Sequence, residues 1–378
     1  MMRKHRIYLG VLLAVLLTAT ACSGKKPAAE TPEASSIEET QQLEETETET
    51  PFTEEATFEI ALVTDERTLE VGMENKTAWS GLEHYAEEQG LSHCYYRPAS
   101  NSQTDYQNAV TDAIEKGAGL IICAGDQAEK IVLGMQEEYK KVQFLILNAE
   151  GHRTVDLGSN VREVRMQVEQ GGYMAGYLAG KSGYHTVACM YDSSIPDSVR
   201  YYYGYLQGLS AAGEEAETIT VYSMPFQKDT ASEKILEKMN EWKEAGVELV
   251  FGAGEAFADS VANAAQTISM NSIVTEKSLS EVNESVLMAV QLDYSKCVED
   301  ACAAYFEKSY QGGKQYWYDM STDSVSLEVR DGRLSGYSEE MSSQLYEDLS
   351  DGEIQMNNDI TIPARSLELP GVDLHEAK

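Results

Sequence analysis

Two successive series of short apolar runs, each alternating with amphipathic stretches, limit what this chain can fold into. Phe58–Thr64 (FEIALVT), Leu120–Ala124 (LIICA) and Val142–Leu147 (VQFLIL) are almost wholly apolar and too short for helices. Such runs suit parallel strands buried on both faces. Residues 75–89 instead carry Trp79, Leu82, Tyr85 and Ala86 at three- and four-residue steps, and Gly90 stops the pattern, which predicts a helix with a core-facing stripe. Trp79 is read as core. Ser92–Tyr96 and Val161–Val168 complete the first set of strands, with helices over 105–116 and 128–139. The grammar then restarts: helix 172–179, strand 185–190, helix 198–211, strand 218–222, helix 231–245, strand 248–251, helix 258–267 and strand 271–275. A βαβα order yields a parallel sheet with helices on both faces, so two series predict two similar α/β lobes. Beyond a strand at 286–290, the pattern predicts a helix over 294–310, a short strand pair around 325–334, a helix over 338–349 and a frayed tail.

The ends of the chain are of another kind. Arg3, Lys4 and Arg6 precede an apolar run, Ile7–Leu17, too short to span a bilayer, which needs about 20 residues. Small residues and Cys22 follow. This plan resembles a bacterial lipobox, with Ala19 where a larger aliphatic residue is usual, and it predicts that Cys22 is lipidated and moors the chain to the membrane surface. Residues 23–56 are rich in Glu, Thr, Ser, Pro and Ala and have almost nothing to bury, so they read as an acidic spacer. A flexible coil of that length reaches roughly 30–35 Å.

The net charge of −34 over 378 residues repels nucleic acid and bare anionic membranes, which excludes DNA or RNA as partners. After Cys22, five cysteines remain: Cys94, Cys123, Cys189, Cys297 and Cys302. Their spacing fits no zinc site and no disulfide framework, and a single bridge stays open. The histidines lack metal-ligand spacing, and no nucleophile elbow, zinc-protease helix or phosphate-binding loop occurs. The expectation is a protein without enzymatic chemistry, cofactor or metal.

Several segments together resemble the Bmp (basic membrane protein) lipoproteins, whose well-understood members are purine nucleoside receptors of ABC importers. They are IALVTD (60–65), NKTAWSGL (75–82), the strand ends LIICAGD and VQFLILNAEG, EQGGYMAGYLAG (169–180), SIP (194–196), YGYLQGLSAAG (203–213) and LSDGEI (349–354). The likeness runs from about Phe58 to Asp359. It implies a type I periplasmic-binding-protein fold: two Rossmann-like lobes joined by three crossovers, with the ligand cleft between them. The crossovers are expected near Val168, Glu276 and Gln291. The first lobe would then hold 57–168 plus about 277–291, the second 169–276 plus about 292–362, with 363–378 frayed.

The resemblance places ligand contacts at Asp65, Glu74, Asn75, Asn148, Glu255 and Phe257. Asp65 ends the first strand, where a ligand role competes with helix capping, and Asn75 matches the family. Glu74 stands where the family has a stacking Phe, so a carboxylate replaces a π-face. Asn148 replaces an aspartate, and Glu255-Ala256-Phe257-Ala258 replaces a glycine-rich turn. VTEKS (274–278) loses the family's aspartates and Leu292 its lysine. Phe257 offers either an aromatic wall or ordinary packing, and of Tyr201, Tyr202 and Tyr203 at most one or two can face a cleft. A site made for ribose hydroxyls suffers from each missing polar partner, so ordinary nucleoside recognition is disfavoured. The resulting expectation is an extracytoplasmic, lipid-anchored solute-binding protein that captures a nucleoside or similar polar solute and hands it to an ABC permease. The alternative is a degenerate relative that senses a ligand or binds another protein at the cell surface.

Overall fold

A computed structural model describes residues 57–147, 149, 154–213, 218–227 and 229–377. The signal segment, Cys22, the acidic spacer and Asn148 lie outside the described residues. In chain order the first elements are β1 (Ile60–Val63), α1 (Met73–Gln89), β2 (His93–Tyr96), α2 (Gln103–Glu115), β3 (Leu120–Cys123), α3 (Ala128–Met135), β4 (Gln143–Ile146) and β5 (Val161–Met166). Then come α4 (Val168–Lys181), β6 (Thr186–Tyr191), α5 (Pro196–Ala212), β7 (Ile219–Pro225), α6 (Ser232–Glu244), β8 (Leu249–Ala253), α7 (Glu255–Ile268) and β9 (Asn271–Thr275). The last are β10 (Val286–Leu292), α8 (Ser295–Phe306), β11 (Lys314–Tyr318), β12 (Val325–Val329), α9 (Glu339–Ser350) and β13 (Val372–Glu376).

The strands form two sheets. One has the order β11-β5-β4-β3-β1-β2 and is parallel throughout. The other runs β12-β10-β9-β8-β6-β7-β13, with only β12 antiparallel to its neighbour. In each sheet the order reverses beside the strand that opens its series, β1 in one and β6 in the other. Such switch points leave a crevice at the strands' carboxyl ends. The continuous apolar runs are buried on both faces, as their composition requires: β1, β3, β8 and β10 have no exposed residue. Local signals set the helix ends. Ser102 caps α2 through Asp105 N, Pro196 opens α5, Ser338 caps α9, and Gly90 ends α1 in the left-handed region at φ 66°.

The glycines of the two glycine-rich segments have a packing reason. A Cβ on Gly204 or Gly208 of α5 would sit 2.0 Å from the carbonyl oxygens of Glu169 and Tyr173 in α4. A Cβ on Gly172 or Gly176 would meet Tyr201 O and Tyr205 O at 2.3 and 2.2 Å. The two helices therefore touch backbone to backbone, and only glycine fits at the contact.

The lobe boundaries differ from expectation at two of three crossings. The chain leaves the first sheet at Gln167, close to the expected Val168. Residues 286–292 then pair with β9 in the second sheet, so the segment expected to join the first lobe belongs to the second. The return crossing lies near Tyr294, where α8 packs on α1 and β11 joins β5. The last crossing lies near Asp319, before β12. The reason is physical: VLMAVQL is buried throughout, and an apolar run of that kind suits either sheet equally. The tail is also ordered rather than frayed, because β13 extends the second sheet along β7. The five described cysteines are free and buried. Tyr201, Tyr202 and Tyr203 are all buried: Tyr202 stacks on Tyr191 at 4.3 Å and its hydroxyl meets Ser223, while the Tyr203 hydroxyl bonds Ile362 O. Trp79 is half-buried against His93 and Tyr95.

Candidate functional site

A cavity of about 950 Å³ lies between the sheets' carboxyl ends and is lined by residues of both lobes. From the first lobe come Arg67, Glu74, Gly125, Glu129, Leu133 and Val155; from the second come Ile195, Asp197, Gly254, Glu255, Phe257 and Glu276. The elements explain the arrangement. The first turns of α1, α5 and α7 each bring an acid to the cleft: Glu74, Asp197 and Glu255. A carboxylate there complements the positive end of the helix, which by itself accounts for those three positions. Glu276 has no such reason. It follows β9, takes a left-handed backbone at φ 59°, and its N–H is held by Val290 O at 2.7 Å. A non-glycine residue in that region is uncommon and strained.

Asp65 and Asn75 form the foundation of the first wall. The Asn75 amide donates to Asp65 Oδ1 at 2.8 Å, and Asp65 N–H donates to Asn75 Oδ1 at 3.3 Å. Arg67 N–H donates to Asp65 Oδ1 at 2.7 Å and Arg67 Nε to Asp65 Oδ2 at 2.6 Å. Both expected ligand residues therefore spend their polar atoms on one another and on Arg67. Asn75 is 1% exposed and Asp65 9%. In this structure they hold one another, and Asp65 holds Arg67.

Sequence reasoning passed over Arg67, and it is the most conspicuous group in the cleft. Its guanidinium lies over Gly72, where a Cβ would stand 2.9 Å away, and its Nη1 reaches Glu255 Oε1 at 2.6 Å in the other lobe. One arginine thus bridges a carboxylate from each lobe in the charge-assisted manner that suits guanidinium. Burial works against its charge, but the hydrogen bonds and charges of Asp65 and Glu255 overcome this and hold its pKa above the ordinary range. The sequence signal was available: a basic residue two positions after a strand-end acid, in the segment that departs most from the family pattern.

Glu74 accepts Gly125 N–H at 2.9 Å through Oε1. Burial, reinforced by the charges of Glu255 and Asp65, pushes its carboxyl up to about 8 against the opposing pull of Gly125 N–H and Arg67. The Glu276 carboxyl is raised well above its usual range, first by burial and then by Glu255, Asp197 and Glu74, with the Tyr201 hydroxyl pulling the other way. Sequence reasoning did not place Glu276 in the site, although an acid directly after a buried parallel strand sits where crevice residues occur. Phe257 is 1% exposed, and its ring meets Phe226 edge-on at 6.5 Å, so it packs the wall. Leu292 is core. Of the expected positions within the described residues, Glu74, Glu255 and Phe257 line the cavity, while Asp65 and Asn75 stand behind Arg67.

A second set of charges lies where the lobes meet beside Trp317, with Arg165–Asp197 crossing between the lobes and Arg200–Glu169 within the second. Arg165 Nη2 pairs with Asp197 at 2.6 Å, and Arg200 Nη1 with Glu169 at 3.3 Å. Both guanidiniums lie over the Trp317 ring, at 5.5 and 5.0 Å from its centre. No group of three or more His, Cys, Asp or Glu among the described residues is arranged to hold a metal ion, and no described helix is long and apolar enough to cross a membrane.

Comparison with known proteins agrees with this geometry. The transcriptional activator protein med of Bacillus subtilis is 22% identical over 234 residues, 62% of this chain and 70% of that protein. The CD4+ T-cell-stimulating antigen of Listeria monocytogenes is 24% identical over 52% of this chain, and basic membrane protein B of Borreliella burgdorferi 28% identical over 42%. The chain spans only about half the length of these last two, 54% and 46%. Among solved structures, a transcriptional activator of the comK gene from Bacillus halodurans superposes with a TM-score of 0.61 at 17% identity, covering 78% of this chain and 97% of that one. An ABC transporter solute-binding protein from Conexibacter woesei gives 0.60 at 15% identity, covering 79% and 98%. These likenesses carry the fold, two lobes of the periplasmic-binding-protein kind. Residues 60–367 match the Bmp family, described as ABC transporter substrate-binding protein PnrA-like, and the chain belongs to that family.

Proposed function

We propose that the chain is an extracytoplasmic, lipid-anchored solute-binding protein that captures a small polar solute between its lobes and delivers it to an ABC permease. The observation that carries this reading is the cavity of about 950 Å³, walled by strand ends and helix starts of both lobes. Its size lies in the range that holds a small molecule. The crossings near Gln167, Tyr294 and Asp319 give closure a place to hinge, and closure about a hinge removes water from a bound solute and signals occupancy. The family is one of substrate-binding proteins rather than enzymes. Lipid attachment at Cys22 is part of the proposal and rests on the sequence around that residue.

The test is a thermal-shift screen of the full chain against nucleosides, bases, sugars, amino acids and amines. A reproducible rise in melting temperature from one chemical class supports the reading, and no response from any class overturns it. A second reading has its own support. The Arg67–Glu255 bridge closes part of the cleft with the protein's own side chains, as suits a surface lipoprotein that senses a ligand or binds another protein. Recovery of a sensor protein rather than a permease in a cross-linked pull-down favours that alternative.

A further inference from the structure

We infer that the cleft takes a small organic cation, its ammonium or guanidinium group received between Glu74 of one lobe and Glu276 of the other. This deepens the reading of the cleft as a solute site and rests on it.

Charge balance comes first. Among the described residues that line the cavity, seven are acids and three are bases, and one of the acids, Asp197, is paired with Arg165 from behind the wall. Two of the bases are engaged: Arg67 with Asp65 and Glu255, and Lys277 with Asp259 at 3.2 Å. No cation among the described residues pairs with Glu74 or Glu276. Glu74 has one oxygen on Gly125 N–H, and Glu276 has the Tyr201 hydroxyl for a neighbour. Carboxyl groups of this kind on facing lobes cannot both be ionised without strong repulsion, so they keep protons until a positive charge enters.

A second observation lies behind that wall, outside the residues that line the cavity. Tyr294 is 1% exposed, its hydroxyl has no hydrogen-bond partner among the described residues, and it is close enough to feel both Glu74 and Glu276. A buried hydroxyl left unsatisfied is costly unless something else supplies the partner. The third observation concerns what is missing from the wall. Phe257 packs edge-on against Phe226, so no aromatic face among the described lining residues is open for a base to stack on. The fourth is internal. Arg67 already shows how this cleft holds a cation, with its guanidinium between carboxylates of opposite lobes.

Titration supports the geometry. Glu74 is faced by Asp65 and Arg67 from the loop after β1, Glu255 from α7, Glu276 after β9, Tyr106 from α2, Tyr294 just before α8 and Cys297 in α8. Glu276 is faced by Tyr201 and Asp197 from α5, by Glu255 from α7 and by Tyr294. With its carboxyl pushed up to about 8, Glu74 is largely protonated at neutral pH, and an arriving cation displaces that proton. A cation therefore binds more tightly as pH rises, by about tenfold per unit below 8 for one proton released.

The experiment is isothermal titration of the full chain with agmatine, putrescine and choline as cations, adenosine and inosine as neutral nucleosides, and ribose as a neutral sugar. Each is run at pH 6, 7 and 8 and in two buffers of different ionisation enthalpy. The expected result is binding of a cation with release of at least one proton, from Glu74 and with it Glu276 where both ionise, and at least tenfold tightening between pH 6 and 7. Glu74→Gln and Glu276→Gln are each expected to weaken it at least tenfold while melting no lower than the parent. The proton release of the unmodified chain decides the matter should either variant fail to fold. Binding of a nucleoside or ribose alone, independent of pH and unchanged in Glu74→Gln, overturns this inference and leaves the solute-binding function standing. No binding of any probe, together with a silent thermal-shift screen, overturns both.

Discussion

Beneath Trp317 the lobes meet through Arg165, Asp197, Arg200 and Glu169, and there every charge faces an opposite one. On the cleft wall Glu74 and Glu276 face other acids and a tyrosine, and the one cation that acts on Glu74, Arg67, is already engaged by Asp65 and Glu255. Both sets of acids are largely shielded from water, so burial alone does not explain the difference. A buried charge is tolerated when it is paired, and an unpaired acid shifts toward its neutral form instead. The seam beneath Trp317 sets its carboxylates against the protein's own arginines, although Glu169 Oε2, Arg165 Nε and Arg200 Nε keep no hydrogen-bond partner among the described residues and burial raises the Glu169 carboxyl. Glu74 and Glu276 on the cleft wall lack even such pairs. The Arg67 bridge is intermediate, since it links the lobes but remains about a third exposed at both ends, at 32% and 36%.

The comparison breaks most readily at the seam. Arg165→Met leaves the carboxylate of Asp197 with only Arg200, 3.9 Å away, and should cost about 3 kcal/mol in urea unfolding. A loss below about 1 kcal/mol would mean that the seam is no better matched than an exposed pair. Next in size is Gly204→Ala, which forces a methyl group into Glu169 O where 2.0 Å is available. It should cost about 2 kcal/mol by overpacking and shift the thermal midpoint accordingly.

The cleft wall is expected to respond in the opposite sense. The Glu74 carboxyl, raised to about 8 from an ordinary 4.5, keeps a proton that the unfolded chain releases. Its contribution to stability is therefore lost as pH rises through that window. Glu74→Gln should flatten the decline and stabilise the protein at pH 8 by about 1 kcal/mol, a figure reduced for the carboxyl's partial exposure. Melting curves from pH 5 to 9 check it, and an identical pH dependence in both proteins would contradict it. The smallest effect belongs to Glu255→Gln, below about 1 kcal/mol and shrinking with added salt, because its pair with Arg67 is partly solvated. Small-angle scattering of the same variant should report a more open solution shape if the bridge holds the lobes together.

The parts of this account that were legible in the sequence follow physical lines. Buried parallel strands announce themselves because continuous apolar runs have few other uses, so β1 to β10 were readable. β11 and β13 were missed for the converse reason: KQYWY and VDLHE lie on sheet edges and are half-exposed. Assignment of β10 to a lobe failed because pairing partners are not written into a strand that is apolar on both faces. Asp65 reads as the residue ending β1 and Asn75 as a match to the family at the start of α1, and a ligand role was open for both. Only coordinates reveal that they bond each other and Arg67, since a reciprocal pair ten residues apart leaves no pattern in one sequence. Glu276 was passed over because attention fell on the aspartates missing from VTEKS rather than on the acid present.

The central claim is that one solute is held by both lobes at once. Hydrogen exchange, with and without the strongest ligand from the thermal-shift screen, tests it most directly. The account predicts concurrent protection of 65–75 and 125–130 in one lobe and of 195–200, 254–257 and 275–277 in the other. Protection confined to one lobe, or to the outer surface of either, would contradict it.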